Sequence, residues 1–351
     1  MKKTRIALGV NDRIQSQRFS SLDNIDFSGS TNWEHLGGEN EEKFNIKLQN
    51  AKHNKNTLPR QYEELKSYKD YPIIYDYNNY GFRGEDLNTE DEYTVFLGCS
   101  HTSGIGHYYE NTWPHQIMKD LDDGSKIANL ALGGYGISSG YRNLLKMSEK
   151  IKIKRVFCFF PHWGRVDFCT TDDSSGEKNV QWDLYTSYNP SKYLIEQWGK
   201  VGFRKLQHYL NDYDYLYHYY QSNILSILAL TTDLNADLYM SSYFDPTFRS
   251  KPDYTNMYYA RDGHPSTWVQ NGIFKMFKHK VDNNEVSNIQ YIKENLQTRD
   301  QDGDEPVMDN NEQGVLQSPP FTGPNFATIG YKPTPEELII TPPTRYKIKI
   351  L

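Results

Sequence analysis

Two short stretches of this chain hold the residue types that nucleophilic chemistry needs. The first is Val95-Phe96-Leu97-Gly98-Cys99-Ser100-His101-Thr102-Ser103-Gly104, where an apolar run stops at a glycine and a serine enters a glycine-bearing loop. A buried parallel strand that ends this way delivers a hydroxyl to the rim of its sheet. A serine hydroxyl is a weak nucleophile until a base takes its proton. The second stretch, Ala260-Arg261-Asp262-Gly263-His264-Pro265, offers that base in His264, with Asp262 to hold the imidazole tautomer. Residues two apart in an extended loop project to the same side, so Asp262 can reach Nδ1 of His264. Taken singly, Ser100 reads as a turn or helix-cap residue, and Asp262-Gly263 reads as a turn before a helix entry at His264-Pro265. Together, in this order and about one domain length apart, the two stretches point to a serine hydrolase. The first is not a Gly-x-Ser-x-Gly elbow, because Thr102 holds its last position.

A sheet with helices between its strands is the frame that would bring such distant residues together. Four segments read as buried strands: Tyr93 to Gly98, Ile127 to Leu132, Arg155 to Phe160 and Ala236 to Tyr243. Helices are expected at Thr112 to Leu121, with Pro114 in the first turn, and at Ser138 to Lys150, Lys192 to Leu210, Tyr217 to Leu230 and Thr267 to Phe277. Alternation of this kind implies crossovers, a parallel sheet and an α/β fold with every strand pointing its C-terminal end at one rim. Residues 1–90 read as a polar N-terminal extension and lead-in, with little periodicity before Tyr62 to Lys69. Residues 91–283 form the expected catalytic domain. Residues 284–351, with an acidic run and a proline-bearing stretch, read as a linker and extended tail.

Within this frame the chain resembles the SGNH (GDSL-like) hydrolases over residues 72–280. Gly98-Cys99-Ser100 stands at the family's first block, with Cys99 in place of an aspartate, and Thr112-Trp113-Pro114 lies where the family often opens its first helix. Asn129-Leu130-Ala131-Leu132-Gly133-Gly134 fits a second block, in which an asparagine precedes by five residues a glycine whose N–H binds the oxyanion; this marks Gly134. The third block departs, because Pro161-His162-Trp163-Gly164-Arg165 holds no asparagine. Arg165, His162 or the indole N–H of Trp163 could replace that donor, and Arg165 is preferred because a guanidinium strengthens a bond to a developing negative oxygen. The alternative for Arg165 is a surface pair with Asp167. The family's last block is Asp-x-x-His, which is one residue shorter here. Gly81-Phe82-Arg83-Gly84 is similar to a lead-in of some bacterial and phage-encoded members.

The resemblance implies a three-layer α/β/α sandwich of flavodoxin-like, SGNH type, an acyl-enzyme mechanism and no cofactor. It implies Ser100, Asp262 and His264 as catalytic residues and the N–H groups of Ser100 and Gly134, with Arg165, as the oxyanion hole. A small ester, such as an O-acetylated saccharide, is the expected substrate. Two rivals use the same fold: a catalytically degenerate binding or virion structural protein, and an acyltransferase.

Composition narrows the remaining classes. Net charge is −6, and the interleaved aromatics of Tyr213 to Tyr220 lack a basic patch, so a nucleic-acid partner is not expected. His101, His107 and His115 have no carboxylate or cysteine partners at ligand spacing, which argues against a metal site. The three cysteines are an odd count without zinc-like spacing, so no disulfide framework is expected. No stretch approaches membrane-spanning length, and the apolar start ends at Asn11-Asp12, too early for a signal peptide. A cytoplasmic or virion-associated location is therefore expected, with the tail suited to tethering on a protein partner. Hydrophobic content of 37% suggests that part of the chain lies outside a packed core.

Overall fold

A computed structural model describes residues 29–32, 41–53, 62–63, 65–66, 74–133, 136–160, 165–172, 179–186, 213–242 and 267–290. In chain order the elements are β1 (Gly29–Asn32), α1 (Glu41–His53), β2 (Ile74–Tyr77), β3 (Glu92–Leu97), α2 (Ser100–Ser103), a 3-10 turn (Tyr109–Asn111), α3 (Trp113–Leu121), β4 (Lys126–Asn129), α4 (Ile137–Ser148), β5 (Lys152–Phe160), β6 (Arg165–Asp172), β7 (Asn179–Thr186), α5 (Tyr213–Asp233), β8 (Asp237–Ser242) and α6 (Thr267–Asp282).

The centre is a parallel sheet of order β4-β3-β5-β8. These are the four strands expected from the apolar runs. The C-terminal parts of its strands are buried on both faces, which is why they read as continuous apolar segments rather than alternating ones. Successive side chains still point to opposite layers. Val95, Leu97, Val156, Cys158, Leu238 and Met240 share a core with residues of α4 and α5. Phe96, Phe157, Phe159 and Tyr239 face the other way and pack with Trp113 of α3 and Phe277 of α6. Trp113 and Phe277 stack with centroids 4.8 Å apart, and Phe96 stacks on Phe157 at 5.3 Å. The result is an α/β/α sandwich with α4 and α5 on one face and α3 and α6 on the other.

Three features depart from the expectations. The N-terminal segment holds a 13-residue helix, α1, in a stretch that reads as aperiodic. Its Phe44, Leu48 and Ala51 lie on one helical stripe and form a satellite core with Leu65 and Tyr75. β1 pairs antiparallel with β2. After β5 the chain forms a β6–β7 antiparallel ladder in place of a simple loop. The expected helix over Lys192 to Leu210 and the tail after residue 290 lie outside the described residues. Among the described residues no helix is long and apolar enough to cross a membrane.

The N-terminal edge of the sheet is held by charge. Asp123 pairs with Arg155 at 2.6 Å and Lys154 at 3.1 Å, and accepts hydrogen bonds from the Ser125 hydroxyl and amide. Partial burial pushes the Asp123 carboxyl up, but Ser125, Lys154 and Arg155 outweigh it and hold it well below the usual carboxylate range. A carboxylate with a depressed folded pKa adds stability above its unfolded pKa, about 3.9, and loses it as pH falls through the folded value. Asp123→Asn is therefore expected to destabilise the fold at pH 7 by about 1–2 kcal/mol. The gap from wild type should narrow as pH drops below about 4, as read from urea midpoints across pH 7 to 3. An equal gap at both ends of that range would contradict the assignment.

Candidate active site

Ser100 lies immediately beyond the C-terminal end of β3, a central strand, and opens the single turn of α2. Gly98 makes that turn possible. A Cβ on it would lie 2.1 Å from Thr102 Oγ1 and 2.9 Å from the Phe159 carbonyl oxygen, so no larger residue fits between β5 and α2. Cys99, in the position where the resemblance puts an aspartate, caps α2 with extended backbone and buries its side chain. The Cys99 carbonyl accepts from the amides of Thr102 and Ser103, and the Ser100 carbonyl accepts from the amide of Ile105. Ser100 itself is 5% exposed, set into the rim rather than standing on it.

The loop after Ser100 is locked by a buried arginine. Gly104 takes a left-handed conformation, φ 73°, and a Cβ there would lie 2.2 Å from Thr112 Cγ2, which leaves glycine as the residue that fits. Arg83 Nη1 donates to the carbonyls of Ser103 and Gly104, and Nη2 donates to the His107 carbonyl at 2.8 Å. The guanidinium lies 4.4 Å from the Tyr75 ring centroid and 5.5 Å from that of Tyr109. Tyr75 completes the clamp by accepting a hydrogen bond from the Gly106 amide at 2.8 Å. Burial pushes the Tyr109 phenol up to about 12 against the opposing pull of Arg83, so the ring beside the cation stays neutral. The lead-in Gly81 to Gly84 thus acts as a brace for the serine loop.

Two further segments converge on the same point. Beyond β4 the chain keeps pairing with the end of β3, through Leu130 N to Phe96 O and Leu132 N to Gly98 O. Asn129 Nδ2 donates to the Thr102 carbonyl at 2.8 Å, tying that chain to α2, and Asn143 Nδ2 holds the Leu130 carbonyl. This brings Gly133 against the serine: a Cβ on Gly133 would lie 3.9 Å from Ser100 Cβ and 2.4 Å from Ile105 Cδ1. From the other side comes the first turn of α6. Gln270, fully buried, donates through Nε2 to the His101 carbonyl at 3.0 Å and accepts through Oε1 from the Trp113 amide at 2.9 Å.

Of the residues expected to do chemistry, the structure describes Ser100 and Arg165. Gly134, Asp262 and His264 lie outside the described residues, as do His162 and Trp163. Arg165 opens β6 instead of sitting in a loop, because the chain from there pairs with β7. Its backbone carbonyl packs on the Gly136 backbone, where a Cβ would lie 2.5 Å from it. Arg165 therefore stands beside the chain that follows Gly133. Among the described residues no three His, Cys, Asp or Glu side chains gather as a metal-binding group. Burial pushes the Cys158 thiol well up, leaving it a core residue.

No protein-family profile matches the chain, and no curated protein matches it. Solved structures of similar fold include TesA, at 13% identity and a TM-score of 0.27, covering 54% of this chain and 98% of that one. Another is the psychrotrophic esterase EstA from Pseudoalteromonas sp., at 14% identity and TM-score 0.27, with coverage of 56% and 99%. A third is a member of the lipolytic protein G-D-S-L family from Veillonella parvula, at 12% identity and TM-score 0.27, with coverage of 54% and 97%. At these identities and scores the likeness assigns no activity.

Arg83, Gln270 and Ile105 are the site residues that spacing did not reveal. Arg83 lies in the Gly81 to Gly84 lead-in, and Gln270 and Ile105 carry no motif. Their placement comes from tertiary contacts alone.

Proposed function

We propose that this chain is a serine esterase acting through an acyl-enzyme. Ser100 Oγ attacks the ester carbonyl while His264 takes its proton, with Asp262 orienting the imidazole. The N–H groups of Ser100 and Gly134, assisted by Arg165, hold the oxyanion. The alcohol leaves with the proton from His264, and water then releases the acid and restores the serine. An O-acetylated carbohydrate is the proposed substrate class, and the reaction needs no cofactor.

One observation carries the reading. Gln270 bonds the first turn of α6 to the carbonyl of His101, the residue after Ser100. His264 precedes the start of that helix at Thr267 by three residues, a reach of at most about 10 Å of chain. The approach of Gly133 to Ser100 supports Gly134, the next residue, as the oxyanion donor in the same way.

The test is hydrolysis of p-nitrophenyl acetate by the full chain and by His264→Ala. Loss of the base is expected to lower kcat by at least about 10³-fold. Background rates in both proteins would favour a fold-retaining binding protein instead.

A further inference from the structure

We infer that Ile105 is the wall that closes the acyl side of this site and restricts it to acetyl-sized groups. The inference rests on Ser100 being the nucleophile. Ile105 is half-buried, and its Cδ1 reaches so close to Gly133 that a Cβ there would lie 2.4 Å away; that same Cβ position is 3.9 Å from Ser100 Cβ. An apolar side chain thus covers the glycine directly beside the serine.

The direction follows from what flanks the serine turn. On one side the chain after β4 pairs with the end of β3 and brings Gly133 to Ser100. Gln270 ties α6, which His264 precedes, to the His101 and Trp113 side of the serine turn. The leaving alcohol must face the acid that protonates it. The acyl substituent then points away from α6, toward the chain after β4, where Gly133 and Ile105 stand.

The wall is fixed. The Ile105 amide donates to the Ser100 carbonyl at 3.0 Å, so wall and nucleophile belong to one hydrogen-bonded turn. Arg83 holds the carbonyls on either side, those of Ser103, Gly104 and His107, and Tyr75 holds the Gly106 amide. A long acyl chain could not push this loop aside without breaking the clamp. The wall is expected to leave room for an acetyl group and to exclude longer chains.

The experiment compares p-nitrophenyl acetate, butyrate and octanoate on the full chain, wild type against Ile105→Ala and Ile105→Val. The valine variant removes Cδ1, the atom over Gly133, and keeps most of the packing should alanine impair folding. Wild type is expected to prefer acetate over octanoate by at least about tenfold in kcat/KM. Ile105→Ala should raise the octanoate-to-acetate ratio by about tenfold or more, and Ile105→Val by about threefold. Acetyl esters of larger alcohols should show no matching change. Ser100-dependent turnover with an unmoved acyl ratio in both variants, or a response to alcohol size alone, overturns the wall while leaving the nucleophile in place. Ester turnover that persists unchanged in Ser100→Ala overturns both.

Discussion

Ser100→Ala is expected to lower kcat/KM for p-nitrophenyl acetate by about 10⁴-fold while leaving the fold intact. The substitution removes a single oxygen from the first residue of a short helix, and alanine is the better helix former. The neighbouring bonds belong to backbone: Cys99 O to Thr102 and Ser103, and Ser100 O to Ile105. They persist in the variant, so urea midpoints should coincide while rates diverge. A serine acting only as a cap would give the opposite pattern, with a lower midpoint and unchanged rates.

Removing the Arg83 clamp should produce the largest loss of stability among the site residues. Arg83→Met keeps much of the buried stem but removes the guanidinium from the carbonyls of Ser103, Gly104 and His107, leaving Gly104 the amide of His107 as donor, and takes the cation from the Tyr75 and Tyr109 rings. Buried acceptors left unsatisfied make a cost on the order of 3 kcal/mol reasonable. Chemistry should suffer as well, because the loop that carries these carbonyls continues directly from Ser100. A displacement of about 1 Å at a nucleophile can cost about 10²-fold in rate. The expected signature is a drop in kcat with little change in KM, together with a lower urea midpoint. Arg83→Lys should recover only part of either loss, since one ammonium cannot reproduce the planar fork that spans three carbonyls. A midpoint shift below about 1 kcal/mol for Arg83→Met would contradict the clamp.

The central sheet was legible in the sequence because the C-terminal part of each strand is buried on both faces and therefore reads as an apolar run. The Val95 to Leu97 end of β3 and the Val156 to Phe160 end of β5 are the plainest cases, while Glu92 and Lys152 at their starts are exposed. The second strand reads longer than it is. Leu130 and Leu132 are apolar, buried and still bonded to β3, yet regular pairing ends at Asn129. Helix α1 was hidden because only Phe44, Leu48 and Ala51 face its satellite core, within an otherwise polar stretch. The β1–β2 pair joins residues more than forty apart in sequence, so no local periodicity marks it. At the site, Ser100 was found from the glycine that ends its strand. Gly133 came within view only through its neighbour Gly134. Asn129 stood out as a spacing marker, and its bond to the Thr102 carbonyl gives that spacing a physical reason. Arg83 and Gln270 were opaque for one shared cause: each works by bonding main-chain groups of a remote segment, and such bonds leave no pattern of residue types to read.

The most direct test of the nucleophile is covalent. The full-length protein, incubated with a fluorophosphonate probe and digested, is expected to carry a single phosphonyl adduct on Ser100, with none formed in Ser100→Ala or after prior unfolding. An adduct on another residue, or equal labelling of the wild type and Ser100→Ala, would contradict the assignment of Ser100 as the nucleophile.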